Sequence, residues 1–529
     1  MLIIGIITLL LYSSYNKIQW EELKNIYRIS GLIILYSIII LYNSTNIIYI
    51  GKSLSIFNDL LMITPYTIYI KILILIITLL YIIIMNEYMK LNVNRYSLIY
   101  SDYTLLILFN VLGMCLFVES YNSLLIYICI ELQSYSIYLI TSRYNNSYYS
   151  SKSGLIYFLI GSLASIMILI GLVILYSITG LTNIYDINMY LSVNNINSNI
   201  LLLSYILIFI GLLFKIGIAP LHNWIINIYV DVPTIITIWI SLVTKISILT
   251  FIYTLIYNMS NIFITQSDNL LNILYILSIL SILSMIIGSI GGISQINIKR
   301  IIAYSGLANS GYMLYAIIAN NQLTLQAYIF NISQYSLTHI NWFLILILTI
   351  IYKAIYSYIN NNNKEMKYLP QLNNIYGYIV INPYLSFSYI VTLSSLIGIP
   401  PLLGFYGKYY MIITGIYSGY LYSSIILIFV SGITAYYYSY VINLLTFKVF
   451  SNNNNNNNNI NNNNINIKDK DNIQIYSNQY NNIRNQIMVL SYSICYIISL
   501  ITFIILFPLL ILDIYTNGSI ILDFYQFML

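Results

Sequence analysis

The chain is a succession of apolar runs, each near the length that crosses a bilayer. About fourteen can be marked off, near 1–14, 29–50, 60–86, 102–120, 123–142, 154–179, 199–221, 232–257, 269–293, 300–320, 324–354, 386–416, 419–447 and 486–511. A hydrocarbon core about 30 Å thick needs roughly 20 apolar residues in a helix. The expectation is therefore an all-α polytopic membrane protein with about 14 transmembrane helices. Composition agrees: 59% of residues are hydrophobic and 7% charged, with mean hydropathy +0.82. Soluble domains carry about a quarter charged residues.

The charges are one-sided. Let the N-terminus lie outside and the spans alternate. The inner loops are then 15–28, 87–101, 143–153, 222–231, 294–299, 355–385 and 448–485. In or at the edges of these fall Lys17, Lys24, Arg28, Lys90, Arg95, Arg143, Lys152, Lys299, Arg300, Lys353, Lys364, Lys367, Lys448, Lys468, Lys470 and Arg484, sixteen of the 21 basic residues. Only Lys52 falls in an outer loop. One missed span would scramble this pattern. The basic side is predicted to be the cytoplasm or its organelle equivalent, the mitochondrial matrix, with both termini opposite. The net charge of +6 then belongs to loops on one side of a membrane, and no nucleic-acid partner is expected. The last long loop holds the tracts Asn452–Asn459 and Asn461–Asn464, with nothing to bury, and is predicted to be disordered. The opening MLIIGIITLLLY lacks a basic leader and a cleavage site, so it reads as a short membrane helix rather than a signal.

Redox cofactors are not expected on this chain. Cys115, Cys129 and Cys495 have no metal-type spacing, and His222 and His339 are too few for paired haem ligation. The glycines in GSIGG, Gly288 to Gly292, sit in an apolar helix and read as a close-packing face.

Chemistry must come from the few ionisable groups inside the runs. The stretch FKIGIAPLHNWIINIYVDVPTIITIWISLVTK, Phe214 to Lys245, carries Lys215, His222, Asp231 and Lys245, with a Gly-Ile-Ala-Pro break at Gly217–Pro220. A lysine near mid-bilayer costs roughly 2.5–3.5 kcal/mol on insertion scales. Freed backbone groups at that depth are tolerable only beside protein or water. Lysines at helix ends that snorkel to the interface are the bland alternative. Glu131 lies in the fifth run, Lys71 in the third, and Lys408 in the twelfth, in GIPPLLGFYGKYY. Runs seven and twelve are both broken and both carry a lysine. That spacing suggests two five-helix units, the second inverted because each has an odd number of spans. The expected division is 1–101 for three N-terminal helices, 102–257 and 258–447 for the two units, 448–485 for the Asn-rich loop, and 486–529 for the last helix and tail. Glu131 and Lys215, then Lys245, then Lys408, form a candidate proton relay in the membrane plane, with His222 a candidate link. A lysine in low dielectric gains or loses its proton as a carboxylate approaches or withdraws. His339 stands at even odds between packing and transport, and Lys71 is expected to snorkel or pair locally.

These residues resemble a known family. The stretches LLIYICIELQSYSIYLI and SGLIYFLIGSLAS, the 214–249 segment, and QINIKRIIAYSGLANSGY with GIPPLLGFYGKYY are similar to subunit 2 of the proton-pumping NADH:ubiquinone oxidoreductase, respiratory complex I. That family belongs to the wider antiporter-like superfamily, and the composition looks fungal and mitochondrial. The resemblance covers helices 4 to 12. It implies a fourteen-helix fold with inverted five-helix repeats and broken helices 7 and 12. Glu131 would be the helix 5 glutamate, Lys215 its helix 7 partner, Lys245 the central lysine and Lys408 the helix 12 lysine. It implies NADH, flavin, iron–sulfur clusters and ubiquinone elsewhere in a complex, with neighbouring membrane-arm subunits and phospholipids as partners in the mitochondrial inner membrane. Three positions depart from the family. Ile156 stands where a lysine is frequent, Asn309 where a histidine is, and the YYYSY run at 436–440 lacks a following arginine. A stand-alone cation/proton antiporter and a purely structural membrane subunit remain the rival readings.

Overall fold

The structure, a computed structural model, describes residues 1–15, 20–48, 53–91, 97–143, 147–193, 198–262, 267–319, 323–359, 371–372, 375, 377–447 and 492–508. The asparagine tracts and Lys52 lie outside the described residues.

Among the described residues, each of the apolar runs is built mainly of helix. In chain order come α1 Leu2–Tyr15, α2 Trp20–Ile48, α3 Pro65–Leu91, α4 Ser97–Glu119, α5 Ser123–Ser142 and α6 Tyr148–Thr179. Then follow α7 Ile184–Val193, α8 Ser198–Ile216, α9 Asn223–Asp231, α10 Thr234–Ile262, α11 Ser267–Ile293 and α12 Ile298–Ile318. The last are α13 Thr324–Ile359, α14 Tyr378–Ile381, α15 Pro383–Ile397, α16 Leu403–Tyr417, α17 Leu421–Phe447 and α18 Tyr492–Leu506. By length and composition, 10 of these helices can cross a membrane, and α1, α15 and α18 are shorter apolar helices.

Three local differences from the sequence expectation have simple causes. The third run does not begin at residue 60. A hairpin of β1 Leu54–Ile56 and β2 Leu61–Ile63 precedes it, with Leu54 opposite Ile63. Its tip, Phe57–Asp59, has positive φ at three non-glycine residues, a turn that apolar patterning does not reveal. The 180–198 connection contains α7, which is too short to span and buries Ile187 and Leu191 against the bundle. The 222–231 stretch, read as an aqueous loop, is helix α9, with Trp224, Ile225, Ile226, Ile228 and Tyr229 buried. Its flanking His222 and Asp231 disguise a half-helix as a loop.

Helix α10 is the axis of the molecule. Its membrane window is 100% buried, and it touches α3, α4, α5, α8, α12 and α13. A helix surrounded by protein in an apolar medium must satisfy its own polar side chains. Thr237, Ser241, Ser247 and Thr250 do so by donating to the carbonyl three residues back, and Thr244 to the carbonyl four back. Beside it, α12 packs on α11 with Gly288 against the Ala308 backbone. An added Cβ there would come within 2.6 Å of Ala308 N, so the glycine face is a close-packing face as expected.

The two breaks share one design. Helix α8 ends where Gly217 turns left-handed (φ +75°), and α15 ends where Gly398 does the same (φ +93°). Gly217 N donates to Leu213 O and Phe214 O at 2.9 and 3.1 Å, and Ile218 N to Leu213 O at 3.1 Å. Gly398 N donates to Ser394 O and Ser395 O, both at 3.1 Å, and Ile399 N to Ser394 O at 3.2 Å. Each is a Schellman-type termination, which consumes the carbonyls a helix end leaves open. In both, Gly-Ile-x-Pro leads into a second half-helix, α9 or α16. The peptide bonds before Pro220 and Pro401 are cis.

Candidate functional site

The breaks place positive groups beside the ends of helices. Lys215 sits in the last turn of α8, where the helix dipole favours a cation. Its Nζ donates to Glu131 Oε1 of α5 at 3.1 Å, with the two side chains 6% and 13% exposed. Ser134 Oγ, one turn along α5, is 3.5 Å from the same Nζ. Removing one partner of such a buried pair leaves an uncompensated charge, at a cost of about 3–5 kcal/mol. Lys408 reaches from α16 back across the second break and donates to Ile397 O, the last carbonyl of α15, at 2.8 Å. Both half-helices thus end on a lysine, one from within and one from the far side of the break.

Lys245 lies mid-way along α10 and is 3% exposed. Its Nζ donates to Gly306 O of α12 at 2.9 Å and stands 5.8 Å from the Tyr335 ring centroid of α13. Among the described residues no carboxylate pairs with it. A carbonyl acceptor and an aromatic face are the ammonium's partners, and both favour the cation more weakly than a counter-charge would. His339 of α13 is fully buried, 4.0 Å from the Tyr335 ring. Neither of its ring nitrogens has a hydrogen-bond partner among the described residues. On the same helix, Gln334 and Asn331 face α16. An added Cβ at Gly407 would lie 3.0 Å from Gln334 Oε1 and 3.5 Å from Asn331 Oδ1. Polar α13 side chains therefore meet the helix that carries Lys408.

Of the remaining sequence candidates, His222 is at the start of α9, partly exposed, with Nδ1 3.2 Å from Pro220 O. Lys71 forms a buried ion pair with Glu119 at the end of α4. The local-pairing expectation was right, but Glu119, on a span edge, gave no sign of being the partner. Sequence reasoning also missed Lys299. Treated as a loop charge, it is 7% exposed in the first turn of α12, and its Nζ donates to Val232 O at 2.6 Å and Val230 O at 3.5 Å. It closes the C-terminal end of α9 as Lys408 closes that of α15. Nearby Asp231 has its carboxyl pushed up by burial, against the opposing fields of Lys152, Lys299 and Arg300.

Residues 120–434 match the family model for the transmembrane domain of NADH:quinone oxidoreductase and Mrp antiporter subunits. The NADH-ubiquinone oxidoreductase chain 2 of Candida albicans is 36% identical over 456 residues, 86% of this chain and 87% of that one. The chain belongs to this family. The Rhizopus oryzae chain 2 is 31% identical over 464 residues, 84% of this chain and 86% of that one. A chain of the Thermus thermophilus respiratory complex I structure superposes with a TM-score of 0.63 at 21% identity, covering 84% of this chain and 89% of its own. The family match spans the region from the N-terminus of α5 to α17, which contains both breaks and all four relay candidates.

Proposed function

We propose that this chain is a proton-translocating membrane-arm subunit of NADH:ubiquinone oxidoreductase, a multi-pass protein of the mitochondrial inner membrane. No electron passes through it, and NADH, flavin, iron–sulfur clusters and ubiquinone belong to other subunits. Its basic loops face the matrix and its termini the intermembrane space. Other membrane-arm subunits and phospholipids cover its apolar flanks. Family membership supports the assembly. The observation that carries the relay is Lys245, wholly buried and unpaired by any described carboxylate, between two broken helices that each hold a lysine at the break.

The physics of the relay begins at Glu131 and Lys215. At their 3.1 Å separation, attraction amounts to about 5 kcal/mol at an effective dielectric of 20. Drawing the carboxylate away, or protonating it, removes that term and strands an ammonium in an apolar site. Losing the proton is then the less costly state. The proton passes to Lys245, whose carbonyl and ring partners receive the ammonium without a counter-charge to trap it. It continues past the polar side chains of α13 to Lys408, where the α15 terminus favours a cation.

Lys245→Met keeps the length and apolar stem of the side chain and deletes the proton carrier. In sealed inner-membrane vesicles the expected outcome is an assembled complex that no longer translocates protons through this subunit. A normal proton-to-electron ratio in that variant overturns the relay and leaves the structural reading.

A further inference from the structure

Glu131 stands on α5 and Lys245 on α10, so the distance from the Glu131–Lys215 pair to Lys245 depends on how α5 sits against α10. A buried set of amide and hydroxyl groups fixes that seat. Gln133 of α5 is 2% exposed, and its Nε2 donates to Ser247 Oγ of α10 at 2.9 Å. The Ser247 hydroxyl has one hydrogen to give, to Gln133 Oε1 at 3.1 Å or to Thr244 O at 3.2 Å. Asn110 of α4, fully buried, makes a second tie. Its Nδ2 donates to Gln133 O at 2.7 Å and to Ser136 Oγ at 3.0 Å, and its Oδ1 accepts from Trp239 Nε1 of α10 at 3.2 Å. Trp239 and Ser247 are about two turns apart along their helix, so α5 is tied to α10 at two heights.

These ties bracket the relay. Glu131 Oε1 and Ser134 Oγ, 3.1 and 3.5 Å from Lys215 Nζ, belong to residues on either side of Gln133 in α5. Lys245 precedes Ser247 by two residues in α10. Packing leaves the same place slack. A cavity of about 20 Å³ is lined by Gln133, Ser134, Lys215 and Thr244 among others, and side chains that border a void lose the contacts that would hold them. In an apolar surrounding an amide or hydroxyl without a partner is costly, so Gln133 and Ser247 keep each other.

We infer that Gln133 is a positioning residue of the relay: bonded to Ser247, it holds the Glu131 carboxylate at Lys215 and sets that pair at a fixed distance from Lys245. The inference rests on the relay reading. Gln133 exchanges no proton and acts through Glu131. An amide that only holds helices together would change how much complex assembles and leave the chemistry of each assembled complex as it is.

Gln133→Leu removes the amide and keeps most of the side chain's bulk, and Ser247→Ala removes the same bond from the other helix. Each is made singly and again on Glu131→Gln, with Glu131→Gln alone in parallel. The readout is the coupled rate of NADH oxidation across pH in sealed inner-membrane vesicles, divided by the amount of assembled complex on native gels. The expected result is a several-fold lower rate in both single variants, with the pH dependence of Glu131→Gln, and no further loss when either is added to Glu131→Gln. If Gln133→Leu does not assemble, Ser247→Ala decides alone. Parental rate and pH dependence per complex in these variants, beside a lowered rate in Glu131→Gln, overturn the positioning role and spare the relay. A further loss in the combined variants also overturns it, because the amide then acts apart from Glu131. A parental rate in Glu131→Gln overturns the relay reading on which the inference rests.

Discussion

Glu131 and Lys215 stood out as candidates in the sequence because a charge inside an apolar run has to be justified by a partner or a path. The structure supplies the partner, in a 3.1 Å contact between α5 and α8. Glu131→Gln preserves shape and one acceptor but removes the charge that holds the Lys215 proton. We expect a several-fold lower coupled rate of quinone reduction with an assembled complex, measured as NADH oxidation in coupled vesicles. An unchanged rate would mean that the pair is a packing contact. Lys299 was hidden by position. A basic residue at a span edge reads as a snorkelling loop charge, and only the fold brings the Val232 carbonyl to it.

At the scale of elements, the broken helices could be read from Gly-Ile-x-Pro, since a left-handed glycine followed two or three residues later by proline is how helices stop. What followed the first break could not be read. Helix α9 is nine residues that follow a histidine and end on an aspartate, too short for an apolar period to stand out. Its end depends on a distant residue. Lys299 hands α9 two carbonyl contacts, one of them at 2.6 Å, and hydrogen bonds to charged groups contribute about 1.5–3 kcal/mol each. Lys299→Met is therefore expected to lower the thermal stability of the purified complex in detergent, with local loss of protection in α9 by amide exchange. Equal protection in variant and parent would show the contact to be incidental. The break itself has a sharper requirement. Gly217→Ala forces a side chain into φ +75°, at about 1–2 kcal/mol, and drives its Cβ into Ile225. Less assembled complex should accumulate in the membrane fraction than for the parent chain, as measured on native gels. Equal amounts would mean that α8 and α9 adjust freely.

The molecule has an inside that is polar in places and helices that present large apolar side chains outward. Helix α10 is buried all round, yet Leu124, Ile128, Ile279, Ile425 and Phe429 are exposed on α5, α11 and α17. Apolar flanks suit lipid and neighbouring subunits alike, so sequence could give the span order but not the neighbours. It did give a sidedness, because sixteen of the 21 basic residues fall in or beside loops on one face of an alternating chain. The structure offers two exposed handles for testing it. Lys152 is the fifth residue of α6, and Ser55 is in the hairpin before α3; both are exposed, and the alternation of spans predicts them on opposite sides of the membrane. Cys115 and Cys129 are buried but Cys495 is exposed, so each cysteine is placed in a Cys495→Ser background, itself the unlabelled control. A membrane-impermeant maleimide should label Ser55→Cys from the intermembrane-space side and Lys152→Cys only from the matrix side, in inverted vesicles. The reverse pattern would turn the molecule over, sending protons taken up beside the basic loops in the wrong direction for energy conservation. Labelling of both from one side would mean that the span count between residues 55 and 152 is wrong, and with it the pairing of α5 with α8 across the bilayer.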